Sequence, residues 1–162
     1  MNDDLRALYG WVRGSRERVF RWTESLPRDV YALECPDFAY GSIRNIHAHV
    51  VDCYQVWVAA RLLGGPRPPD TAAGDVAAMR AAFSAVDDAM ECAFSTVGDL
   101  DAPVVIDLPD WDPLTVTGRW LLMHPITHEF HHKGQMLALG RVLGHPYPAG
   151  PDTDLMEPFG TP

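Results

Sequence analysis

The run His128-Glu129-Phe130-His131-His132-Lys133-Gly134-Gln135 places two imidazoles four residues apart in a segment of helical character. On an α-helix, positions i and i+4 lie about 40° apart around the axis and about 6 Å apart along it, so both side chains can converge on one ion. Two histidines do not fill a tetrahedral or octahedral shell, and the chemistry therefore turns on a third ligand. His49 is the leading candidate. With Cys53, Val56, Ala60 and Leu63 it forms one stripe of an earlier helical segment, whereas His47 falls on the opposite side and is expected to point outward. Cys53 is a softer alternative, and His124, one turn before His128, is an alternative to His132. About 12 Å of helix separates His124 from His132, so the two cannot share one ion. His131 is expected at the helix flank and His145 in a loop. Gln135, one turn beyond His132, is placed to orient an imidazole, and Gly134 to let a neighbouring helix approach.

The same residues spell His128-Glu129-Phe130-His131-His132, an H-E-x-x-H in which the glutamate would activate water as a general base. That reading makes Glu129, beside Gln135, a candidate catalytic group of a zinc-dependent hydrolase. The rest of such a site is missing: Gly134 follows the second histidine by two residues instead of three, and Glu157 in a Pro/Gly-rich tail is the one downstream glutamate. With His49 as third ligand, Glu129 reverts to a helix-flank residue.

Four helical segments must position these groups. The first runs from about Asp3 to Trp22 on an apolar stripe of Leu5, Leu8, Val12, Val19 and Phe20, with Pro27 beyond it. The second runs from an N-cap at Ser42 to the stop Gly64-Gly65-Pro66, and the third from about Ala73 to Val97. Residues 102–117 are β-branched and broken by proline, which predicts a short hairpin or an extended crossover. The fourth segment spans Gly118 to Leu143, with a bend expected at Pro125. Leu155, Met156 and Phe159 are expected to fold the tail back onto the body. The economical architecture is all-α: a four-helix bundle, one domain over residues 1–162, with a hairpin or extended segment before the last helix.

Composition narrows the function classes. A net charge of −9 argues against a phosphate-backbone partner, and Arg13, Arg16, Arg18 and Arg21, interleaved with Glu17 and Glu24, read as a solvated helix face. No apolar run approaches the roughly 20 residues that span a bilayer. The acidic start, Met1-Asn2-Asp3-Asp4, is unlike a secretory signal, and a cytoplasmic location is expected. Cys35, Cys53 and Cys92 lack metal or disulfide spacing and read as buried small residues.

Ser42-Ile43-Arg44-Asn45-Ile46-His47-Ala48-His49-Val50-Val51-Asp52, with Trp57 further on and His128-x-x-x-His132-Lys133-Gly134-Gln135 about 80 residues later, resembles the DinB/YfiT-like family of metal-dependent helical bundles. The resemblance covers nearly the whole chain. It implies a divalent ion, zinc or nickel, on His49, His128 and His132. It also implies a transferase that uses a low-molecular-weight thiol of the bacillithiol or mycothiol kind on a small electrophile. A mycothiol-dependent maleylpyruvate isomerase is a less favoured analogue, because some of those enzymes carry a further C-terminal domain. Lys133 stands where arginine is common in the family, and Tyr54 and Gln55 where an acidic residue often occurs. Three neutral ligands would leave an ion its full charge and an open position for substrate. The expected partners are a small-molecule substrate and, as an allowed assembly, a homodimer, with neither nucleic acid nor membrane. The opposing class is a non-enzymatic metal- or ligand-binding bundle.

Overall fold

The computed structural model describes residues 3–107, 112–149 and 153. Helix α1 spans Asp3–Ser25, α2 Ile43–Tyr54, α3 Val76–Thr96 and α4 Gly118–Val142. Three of the starts carry the same device, an oxygen that accepts an otherwise orphaned backbone N–H. Ser42 accepts from Asn45, Asp75 from Ala78 and Thr117 from Trp120. The hairpin reading holds for residues 102–117: β1 (Pro103–Ile106) pairs antiparallel with β2 (Leu114–Thr117), with Val104 opposite Val116. Helix α4 runs on through Pro125, which is buried.

The second segment departs from the expected single α-helix. From Gln55 to Leu62 the backbone widens into a π-helix, and the N–H of Leu63 closes it on the carbonyl of Val58 at 3.0 Å. A π-turn inserts extra residues into the helical repeat and so rotates the side chains that follow. Trp57 lies in this stretch and reaches α4, its ring 5.4 Å from that of Trp120.

One apolar cluster joins Val12 and Phe20 of α1, Val50 and Tyr54 of α2, Phe83 and Met90 of α3, and Leu122 and Ile126 of α4. A second, nearer the ends of α1 and α4, gathers Val19, Trp22, Tyr31, Ile43, Ile46, Met136 and Leu139. The close approach expected at Gly134 occurs instead at Gly140. A Cβ on Gly134 would meet nothing within 4 Å, but one on Gly140 would stand 2.4 Å from the Trp22 ring. No helix among the described residues is long and apolar enough to cross a membrane. Leu155, Met156 and Phe159 lie outside the described residues, although Thr153 of the same tail is buried.

Candidate metal centre

Helix α2 is buried on two sides, which corrects the placement of its histidines. Ile43, Ile46, His47, Val50, Val51 and Tyr54 are all buried, so His47 points away from His49 but into the core. Its ring lies 4.7 Å from Phe20 and 5.2 Å from Phe83, and its Nδ1 shares a 3.2 Å hydrogen bond with the Tyr31 hydroxyl. Burial, helped by the Arg16 and Arg80 charges, pushes its pKa down to about 3. The side of α2 that carries His49 and Cys53 faces α4 instead.

There His49 meets His128 and His132. One ligand nitrogen from each lies within 4.8 Å of the others, and the Nε2 atoms of His49 and His128 are 2.8 Å apart. Nitrogens held at about 2.0–2.1 Å around a tetrahedral ion stand about 3.3 Å from one another, so the donor set fits a divalent transition ion with small side-chain adjustments. The Nδ1 of His132 is 2.7 Å from Gln135 Oε1, an arrangement that leaves Nε2 of His132 with its lone pair directed elsewhere.

Electrostatics favour neutral, ligating imidazoles. Burial lowers the pKa of all three. For His128 the neighbouring histidines add to burial and bring it to about 4. His49 and His128 remain half-exposed, so the cluster is open on one side.

Tyr40 stands at that opening, and sequence reasoning did not include it. Its ring stacks on His49 at 4.3 Å and its hydroxyl lies 2.9 Å from His49 Nε2. The residue adopts φ 62°, a left-handed conformation in which a bulky side chain is strained, and the Asn45 side chain holds it there by donating to the Tyr40 carbonyl at 2.9 Å. The signal in the sequence was slight, a Tyr-Gly pair ahead of the Ser42 cap.

Glu129 is not at the helix flank. It is buried, with Oε1 accepting from Arg16 Nε at 2.8 Å and Oε2 accepting from Arg16 at 2.9 Å and from the Tyr54 hydroxyl at 2.7 Å. Its carboxylate thus serves the core between α1, α2 and α4, which removes the general base that the H-E-x-x-H reading needs. Arg16, expected on a solvated face, is buried with it and also reaches Asp87 at 2.7 Å. Lys133 is buried too, donating to Ser15 and to the Thr153 carbonyl. Of the cysteines only Cys53 is buried; Cys35 is half-buried and Cys92 exposed. His124 stacks on Trp120 at 4.7 Å and lies beside Cys53 and His128, away from His132.

A search of curated proteins finds no match. A family model, that of the DinB family, matches residues 1–158. Helical bundles that typically bind metal make up this group, and with the match running over nearly its whole length the chain belongs to the DinB family.

Proposed function

We propose that His49, His128 and His132 hold one divalent transition ion, zinc or nickel, and that the protein is a transferase moving a low-molecular-weight thiol onto a small electrophile. The observation that carries this reading is the convergence of three imidazole nitrogens, from two helices, within 4.8 Å at a half-open surface. When bound there, such an ion supplies Lewis acidity and favours the thiolate form of an incoming thiol. The chain's own residues do the rest. Gln135 fixes the His132 ring through Nδ1, and burial keeps the imidazoles neutral above the acid range. Tyr40 covers His49 and presents a hydroxyl that can donate to, or accept from, a substrate at the opening. Because Glu129 is committed to Arg16 and Tyr54, no carboxylate is left in H-E-x-x-H position to drive hydrolysis.

Elemental analysis of untagged protein tests the site. About one zinc or nickel per chain is expected, with nickel loading lost in His49→Ala, His128→Ala and His132→Ala and kept in His131→Ala, whose side chain is exposed. The reaction is tested by offering bacillithiol, mycothiol, glutathione and coenzyme A with a chloro-aromatic or epoxide acceptor. Metal-dependent consumption of one thiol is the expected result. Full nickel loading in His49→Ala would end the ligand assignment, and a loaded protein that turns over no thiol would turn the reading towards a binding module.

A further inference from the structure

The interface between α2 and α4 carries a second set of donors one helical turn from the first. Cys53 follows His49 by four residues on α2, and His124 precedes His128 by four on α4. Because residue numbers rise along one helix as they fall along its neighbour, a step of one turn on each side rebuilds the same kind of cluster. Ligand atoms of Cys53, His124 and His128 lie within 4.8 Å of one another, as those of the three histidines do.

The two sets differ in chemistry. The first holds three borderline nitrogens at a half-open surface, but the second includes a sulfur that is buried. Thiolate ligands select for soft, polarisable ions, whereas imidazoles alone do not. His124 is partly buried and flanked by two aromatic rings, Trp120 at 4.7 Å and Trp57 at 5.1 Å. Neither the Cys53 thiol nor the His124 imidazole makes a side-chain hydrogen bond to another described residue, in contrast to His49 with Tyr40 and His132 with Gln135. Their donor capacity is therefore not taken up inside the fold.

We propose that Cys53, His124 and His128 form a second metal-binding set, selective for a thiophilic ion, which competes with the three-histidine set for His128. Binding breaks the Cys53 S–H bond, releases that proton to solvent and forms a sulfur–metal bond; no oxidation state changes. Competition follows from the donor count. A neutral imidazole has one nitrogen lone pair, so His128 serves one ion at a time. A thiophilic ion should expel the ion held by His49 and His132, and the total should remain one per chain.

Cadmium alone, added to metal-free protein in which Cys35→Ser and Cys92→Ser leave Cys53 as the sole thiol, tests this. The first equivalent should raise a near-ultraviolet thiolate-to-cadmium absorption and give a cadmium NMR shift in the range of a sulfur-containing shell. Both signals should persist in His49→Ala and His132→Ala, vanish in Cys53→Ala, and require roughly tenfold or more cadmium in His124→Gln, as loss of a direct ligand demands. Circular dichroism checks that each variant is folded; if Cys53→Ala is not, the His124→Gln titration decides. Absence of the absorption at one equivalent, or an absorption indifferent to His124→Gln, overturns the second set. Two cadmium ions held together on one chain overturn the competition. Nickel loading of the wild type and of His49→Ala, measured in parallel, reports on the three-histidine site separately.

Discussion

Glu129 sits one residue from His128 yet faces another environment, because a single step along an α-helix turns a side chain by about 100°. Burial opposes the Arg16 charge, but the Glu129 carboxylate and its hydrogen bonds outweigh it and hold that guanidinium's pKa above its ordinary value. Without Glu129 the buried guanidinium keeps only the partly exposed Asp87 as counter-charge, and breaking a buried pair of this kind destabilises by about 3–5 kcal/mol. Glu129→Ala is therefore expected to lower stability by that much in urea titrations, and Glu129→Leu combined with Arg16→Met to recover a large part. Glu129→Gln should keep metal loading at the wild-type level; a loss of loading there would restore the glutamate to the metal site. The histidine spacing was legible because i,i+4 geometry is local. The Arg16–Glu129 pair was not, since its members are 113 residues apart and a charge on a helix face reads as solvated until the neighbouring helix is known.

At the scale of elements, two glycines of α4 make an opposed pair. At Gly140 a Cβ would stand 2.4 Å from Trp22 and 3.0 Å from the His145 carbonyl, so α1 and the loop after α4 pack directly on backbone. Gly140→Ala should cost about 1–3 kcal/mol through overpacking. At Gly134 nothing lies within 4 Å, and removing a glycine from a helix interior should stabilise by up to about 1 kcal/mol. Thermal midpoints read both, at about 2–4 °C per kcal/mol for a chain of this size. The elements themselves were legible in the sequence. Ser42, the prolines around residues 102–117 and Gly144 are local signals, and the helices and hairpin lie where those signals put them. The π-helical stretch and the two buried sides of α2 were not legible. The first is a backbone response to packing, and the second appears only when α1 and α3 close on one side of the helix and α4 on the other. One stripe on a helical wheel cannot show a helix covered from two directions, which is why His47 was expected to point outward.

For the molecule as a whole, that buried histidine sets an expected acid limit. His47 meets Phe20 of α1 and Phe83 of α3, shares a hydrogen bond with Tyr31, and feels the positive charges of Arg16 and Arg80. Its folded pKa of about 3 lies below the 6.5 of the unfolded chain. Protons therefore bind the unfolded state preferentially between those values. The His47 contribution is full above pH 6.5, falls as the pH drops through that window, and levels off near pH 3, with a slope of up to about 1.4 kcal/mol per pH unit. His47→Gln keeps a partner for the Tyr31 hydroxyl but cannot titrate. Measured on metal-free protein, so that ion release plays no part, wild type should lose about 2 kcal/mol more than His47→Gln between pH 7 and pH 5. The histidines facing α4 titrate in both proteins and cancel in the difference. Parallel stability profiles for the two proteins would show that His47 takes up its proton without opening the core, and would shift the acid sensitivity of the bundle to the cluster between α2 and α4.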